Sequence, residues 1–209
     1  MTAPTSATAL AASSGVDARA LRLFIALWPT PSVRAALRAR RDAIGWPPRA
    51  RVVADERLHL TLHFIGAVPR SLWPRLLPAL QQPCPRITLE LGAAQVWRHG
   101  LVVLPATTVP EPLRAVHAAL AHALSGLGLP IEQRPLRPHV TLARRAAGAV
   151  LPPAQPPLRW QAAGFVLVNS DPVDGYRVLA RYGARGVSLA AAPRTATARS
   201  RPAPAPTAR

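Results

Sequence analysis

The chain has 209 residues, 49% hydrophobic and 17% charged, a composition that can bury a core and excludes a wholly disordered protein. Its 25 Pro and 12 Gly exclude collagen and coiled coil, and no stretch approaches the roughly 18 to 20 apolar residues of a membrane span. Basic residues number 26 against nine acids, a net charge of +17 that invites a polyanion such as nucleic acid, although every base is Arg and part of that excess matches the Ala- and Pro-rich codon bias of a GC-rich genome.

Residues 1–19 are small and polar, lack the basic start and apolar run of a secretory signal, and read as a disordered extension. Residues 21–27 (LRLFIAL) form a short apolar run stopped by Trp28 and Pro29, the pattern of a buried strand. A helix follows with Ser32 as its cap, an apolar stripe of Val33, Ala36, Leu37 and Ile44, and Arg34, Arg38 and Arg41 on the wet side. Arg51, Val52 and Val53 come next, strands are expected at 58–66, 86–91, 101–104, 139–143, 165–168 and 177–182, and a short helix at 73–80. Residues 111–127 are the clearest helix, with Leu113, Val116, Leu120 and Leu124 at spacings of three and four and Gly126 and Gly128 ending it. Strands and helices alternate, so the class is mixed α and β.

The folded domain is placed at 20–185. Residues 186–209, rich in Arg, Pro and Ala and without acids, are expected to be a disordered tail. Residues 184–209 hold five of the Arg, which leaves +12 on residues 1–183. The single cysteine, Cys84, cannot form an intrachain disulfide and fits a reducing, cytoplasmic setting.

The informative feature is a repetition. His-Leu-Thr-Leu at 59–62 returns as His-Val-Thr-Leu at 139–142, 80 positions on, each on an expected strand. Residues i and i+2 of a strand share a face about 6.6 to 6.8 Å apart, so each His points with its Thr while the apolar residues between face the core. If the two halves are related by an approximate two-fold axis, His59 and His139 flank one cleft. Imidazoles titrating near 6.5 can divide labour at neutral pH, one accepting a proton and the other donating one, which suits in-line displacement at phosphorus. The hydroxyls of Thr61 and Thr141 can donate to the non-bridging phosphoryl oxygens. His63 shares the expected strand face of His59 and Thr61. Four-residue spacing is also that of a helical metal pair, but on a strand the two imidazoles stand about 13 Å apart, and no metal or cofactor is expected. His63 is expected at the cleft rim and His117 and His122 on a helix surface. Trp97, Phe165 and Tyr176 are candidates to stack a base, with Trp97 and Phe165 expected in the core.

RLFIAL (22–27), LHLTLHFIG (58–66), VW (96–97), RPLRPHVTLAR (134–144), FVLVNS (165–170) and YRVLARY (176–182) together resemble the 2H phosphoesterase superfamily, specifically its RNA 2',3'-cyclic phosphodiesterase, or 2'-5' RNA ligase, branch. The resemblance spans about residues 20–185. It implies a bilobal, pseudo-two-fold α+β fold with antiparallel sheets lining a central cleft and helices outside. It also implies metal-independent opening of RNA 2',3'-cyclic phosphate ends to 2'-phosphomonoesters, in some members with joining of RNA ends through a 2'-5' linkage. Carried over by residue, His59 protonates the leaving 3'-oxygen, His139 activates water, and Thr61 and Thr141 hold the phosphate. Arg144 and Arg51 are candidates to contact the phosphate or sugar, and Arg137 to supply a positive field. A monomer acting on RNA or a nucleotide with a cyclic phosphate end, without membrane or cofactor, is the expectation. The alternative is a module that binds RNA ends without turnover, which the Arg excess alone would also support. The absence of a GxxxxGKS-type loop argues against an ATP-dependent ligase.

Overall fold

A computed structural model describes residues 20–183 and 186–189. In chain order the elements are β1 (Leu21–Leu27), α1 (Pro31–Asp42), β2 (Arg51–Val52), β3 (Leu60–Val68), α2 (Trp73–Ala79), β4 (Ile87–Leu91), β5 (Gln95–Trp97), β6 (Leu101–Pro105), α3 (Glu111–Gly126), β7 (His139–Arg144), β8 (Leu158–Ala162), β9 (Gly164–Asp171), β10 (Gly175–Gly183) and β11 (Gly186–Leu189). The class is α+β. One large sheet runs β11-β10-β9-β1-β3-β7-β6-β5 with β2 paired to β7, and β4 and β8 form a second, two-stranded sheet. Each strand pairing is antiparallel. No helix among the described residues is long and apolar enough to cross a membrane.

Local chemistry explains the helix ends. α1 is capped by Thr30, whose Oγ1 accepts from the Val33 amide, with Pro31 at the first helical position; Ser32, expected as the cap, lies inside the helix. The cap falls earlier because Pro31 has no amide hydrogen to satisfy and its fixed φ starts the helix. α3 buries Leu113, Val116, Leu120 and Leu124. It ends in a Schellman turn, with the Gly128 amide donating to the Ser125 carbonyl, the Leu129 amide to that of Leu124, and Gly128 at φ 70°. A second departure is Arg41, expected on the wet face of α1 and found only 8% exposed. Its guanidinium donates to the Val53 carbonyl at 2.7 Å and pairs with Asp55 at 2.6 Å and Asp42 at 2.8 Å, so the buried charge is matched. The expected tail begins with a further strand. β11 extends the sheet by pairing Tyr182 with Val187 and Ala180 with Leu189, because a hairpin carrying alternating apolar residues gains cross-strand contacts. The remaining expectations for residues 1–19 and 190–209 lie outside the described residues.

The large sheet is two sheets joined at a narrow seam. β3 and β7 share a single paired position, Leu60 with Val140, and both side chains are fully buried. Each strand carries a β-bulge at the same point of its tetrapeptide: Leu62 is skipped in the register with β1, and Leu142 in the register with β6. An extra residue reverses the alternation of the side chains beyond it, and in β3 a second bulge at Ile65 reverses it again.

Candidate active site

Pairing Leu60 with Val140 puts His59 across from Thr141 and Thr61 across from His139 on one face of the seam, with the two His on a diagonal. Diagonal neighbours stand about 7–8 Å apart, somewhat less between Cβ atoms, room for one tetrahedral group between two rings. The four side chains line a cleft of about 400 Å³, and Arg51 and Arg144 line it with them. These six sequence candidates thus share one cavity, whereas Arg137, the candidate for a positive field, does not line it.

The rings are oriented alike. His59 Nδ1 donates to the Arg57 carbonyl at 2.6 Å and His139 Nδ1 donates to the Arg137 carbonyl at 2.7 Å, in both cases the carbonyl two residues upstream. A carbonyl only accepts, so each neutral ring carries its proton on Nδ1 and presents the Nε2 lone pair. His59 Nε2 receives the Thr61 hydroxyl at 3.1 Å. Each ring also rests on an aromatic side chain that bears an arginine. His59 meets Tyr176 at 5.5 Å with the Arg57 guanidinium 5.4 Å from the phenol centroid, and His139 meets Trp97 at 4.8 Å with Arg137 at 4.5 Å. Phe24 at 4.9 Å and Trp28 at 5.8 Å add an apolar flank to His59 alone.

Electrostatics follow from this packing. Burial holds His59 well below its usual value, at about 4, with Arg144, His139 and Arg34 adding positive repulsion against the favourable Arg57 carbonyl. Burial also lowers His139, with Arg137 and Arg144 contributing. Both rings are therefore neutral in the empty cleft at pH 7, and an entering anion is favoured because it offsets the positive field. Arg51 and Arg144 face each other directly across β2 and β7, and both are exposed. Like charges in that relation repel, and an anion between them relieves the repulsion.

The bulges decide what else reaches the cleft. Past Leu142, Arg144 rather than Ala143 turns toward it; past Leu62, Phe64 does, 50% exposed, with the Arg22 guanidinium 5.0 Å from its ring centroid. Regular alternation would have placed His63 there. Instead His63 is turned inward, 2% exposed, its Nε2 donating to the His117 carbonyl at 2.9 Å and its ring stacked on His117 at 4.0 Å. The rim position expected for His63 and the surface position expected for His117 are both corrected by the bulge. Trp97, expected in the core, is half-buried beside His139, whereas Phe165 is 1% exposed and stacks on Tyr182 at 5.0 Å. Sequence reasoning missed Phe64, Arg22 and Arg57. A break in alternation is silent in sequence, but the equal spacing of Arg57 and Arg137 before their His was a readable signal.

A sequence model of the 2'-5' RNA ligase superfamily matches residues 28–172. The RNA 2',3'-cyclic phosphodiesterase of Thermus thermophilus is 33% identical over 190 residues, covering 79% of this chain and 91% of the relative. That of Escherichia coli is 36% identical over 146 residues, covering 68% and 81%. Among solved structures, a phosphoesterase superposes with TM-score 0.69 at 32% identity, covering 78% of this chain and 98% of the other. E. coli LigT complexed with 3'-AMP does so with TM-score 0.68 at 30% identity, covering 78% and 98%.

Proposed function

The chain belongs to the 2'-5' RNA ligase superfamily, the 2H phosphoesterases, and from that premise we propose that it is an RNA 2',3'-cyclic phosphodiesterase that opens cyclic phosphate ends to 2'-phosphomonoesters by proton transfer between His59 and His139. The observation that carries this reading is the matched pair of Nδ1-to-carbonyl bonds, which leaves two Nε2 atoms serving one cleft.

The phosphodiester anion enters between Arg51 and Arg144, and its charge raises both imidazoles from their depressed values, so that one carries the proton the reaction needs. The Thr61 hydroxyl leaves His59 Nε2 for a non-bridging oxygen, and Thr141 donates to another. His139 Nε2 removes a proton from water as the water oxygen bonds to phosphorus. The bond from phosphorus to the 3'-oxygen breaks, and that oxygen takes the proton from His59. The 2'-oxygen keeps the phosphate. A ribose 5'-hydroxyl in place of water yields a 2'-5' linkage by the same transfers, which makes joining of RNA ends a second output of one site. No step calls for a metal, so the reaction is metal-independent.

The test is hydrolysis of 2',3'-cyclic AMP in excess EDTA with separation of the two monophosphate isomers. Adenosine 2'-monophosphate as the sole product supports the reading. The 3'-isomer, or activity abolished by EDTA and restored by a divalent cation, overturns it.

A further inference from the structure

His59 and His139 each donate from Nδ1 to the carbonyl two residues upstream, so the aim of each ring depends on where that carbonyl stands. The two carbonyls are held by different means. Ahead of His139 the intervening residue is Pro138, which is buried, has a fixed φ, and accepts the Ala106 amide at 2.9 Å. Ahead of His59 it is Leu58, whose φ no ring restrains, and the carbonyl ends a single 3-10 turn, Asp55–Arg57. That turn is fastened from outside, by α1. We infer that the ion pair of Arg41 with Asp55 is a positioning pair for the reaction, fixing the turn that presents the Arg57 carbonyl and, through it, the tautomer and aim of His59. The inference rests on the proton-transfer reading of the cleft.

Three observations carry it. Arg41 is buried, and its guanidinium meets the entry to the turn at two points, the Asp55 carboxylate at 2.6 Å and the Val53 carbonyl at 2.7 Å, while Asp42 holds its other side at 2.8 Å. A buried fork with three acceptors admits few geometries, unlike a surface pair. The same turn is gripped by its backbone: the Arg34 guanidinium, two helical turns before Arg41, donates to the Asp55 carbonyl. Arg34 also lies 5.5 Å from the Trp28 ring centroid, and Trp28 stacks on His59 at 5.8 Å, so α1 reaches that ring by two routes. The approach to His139 has no counterpart among the described residues, since its ion pair, Arg134 with Glu132, is exposed and spans two positions of one loop. Neither Arg41 nor Asp55 lines the cleft, so their influence on the reaction runs through His59.

The experiment measures kcat and KM on 2',3'-cyclic AMP alongside the imidazole nitrogen chemical shifts of the full chain at about pH 8, where both rings are neutral. In the native protein His59 and His139 are both expected as the Nδ1–H tautomer. Asp55→Asn, which keeps the size of the side chain, is expected to mix the Nε2–H tautomer into His59 alone and to lower kcat about 10-fold with KM unchanged. Arg41→Lys keeps the charge and gives up the fork; the same signature is expected from it, and it decides the matter if Asp55→Asn does not fold. Arg38→Gln removes a contact to Asp55 that is exposed and 3.5 Å long, and is expected to move neither readout. The positioning role is overturned by a folded Asp55→Asn with native kcat or a native His59 tautomer, by a tautomer change shared with His139, or by an equal loss in Arg38→Gln. If the native protein does not turn over the cyclic nucleotide, the catalytic reading falls, and the His59 tautomer in Asp55→Asn still decides whether the pair holds the ring.

Discussion

Leu60 is paired with Val140, and these are the second residues of the two His-x-Thr tetrapeptides. The local two-fold axis of an antiparallel pair passes between partners, so this register maps His59 onto His139, Thr61 onto Thr141 and the bulge at Leu62 onto the bulge at Leu142. A slip of one residue would send the polar side chains of one strand into the core and the apolar ones to the cleft. Two fully buried aliphatic side chains at the seam thus hold the register that brings the imidazoles together. The axis stops short of perfect symmetry: Phe64 under Arg22 stands where its counterpart is Arg144. One flank offers an aromatic face and the other a charge, which gives a nucleotide a single way to lie.

The threonines are expected to act through their hydroxyls alone. Thr61→Val and Thr141→Val should each lower kcat by about 10²-fold with little change in melting temperature, the loss seen when one transition-state hydrogen bond is removed. Thr→Ser at either position should keep most of the activity. Steady-state kinetics on a 2',3'-cyclic nucleotide checks this, and a Val variant with native kcat would remove that threonine from the reaction.

The depressed imidazoles dictate the pH dependence. kcat/KM reports the free protein, which must hold one ring charged and the other neutral, so it should peak below pH 6.5, between the two lowered values, that of His59 being about 4. It should fall through neutrality as the required imidazolium is lost. The bell for kcat should lie at higher pH, because a bound phosphodiester anion raises both rings. A kcat/KM flat from pH 6 to 9 would contradict this.

Arg51 and Arg144 repel each other in the empty cleft. Millimolar inorganic phosphate should therefore raise the melting temperature of the native protein by a few degrees, and Arg144→Gln should diminish that rise while raising KM about 10-fold. A thermal shift that is the same with and without the Arg144 guanidinium would remove it from the anion site.

The pair behind β3 predicts a separate effect on stability. Burial lowers His63, and burial with the neighbouring His63 lowers His117 to about 4. Between that value and the unfolded value near 6.5 the unfolded chain binds more protons than the folded one, so stability is fully present above about pH 6.5 and is lost as pH falls toward 4. The double variant His63→Ala, His117→Gln should flatten the fall in melting temperature between pH 7 and pH 5. A fall as steep as the native one would place its origin elsewhere.

Much of the site was legible because strand alternation and a repeated tetrapeptide are both local signals. That His59 shares a face with Thr61, and His139 with Thr141, follows from period two, the pairing of the two motifs from the repeat, and Leu60 and Val140 are the apolar residues between them. The inward turn of His63 is not legible, because a bulge changes parity without changing composition and nothing in LHLTLHFIG announces one. The burial of Arg41 is invisible to helical periodicity, which records which face is apolar and not which charge finds Asp55 from another loop. β8 is masked in sequence by the Pro-rich run before it, although Leu158, Trp160 and Ala162 alternate as a strand should and all three are buried. At Trp97 the general preference of large rings for cores is overridden by a cleft wall beside His139.

The most direct test is turnover of 2',3'-cyclic AMP by His59→Ala, His139→Ala and the double variant, each shown to be folded by circular dichroism. Either single substitution should cost about 10²- to 10⁴-fold in kcat, and the double should cost little more than the worse single, since the two rings act in one concerted displacement. A single variant that keeps native kcat, or two losses that multiply as independent effects, would contradict the account.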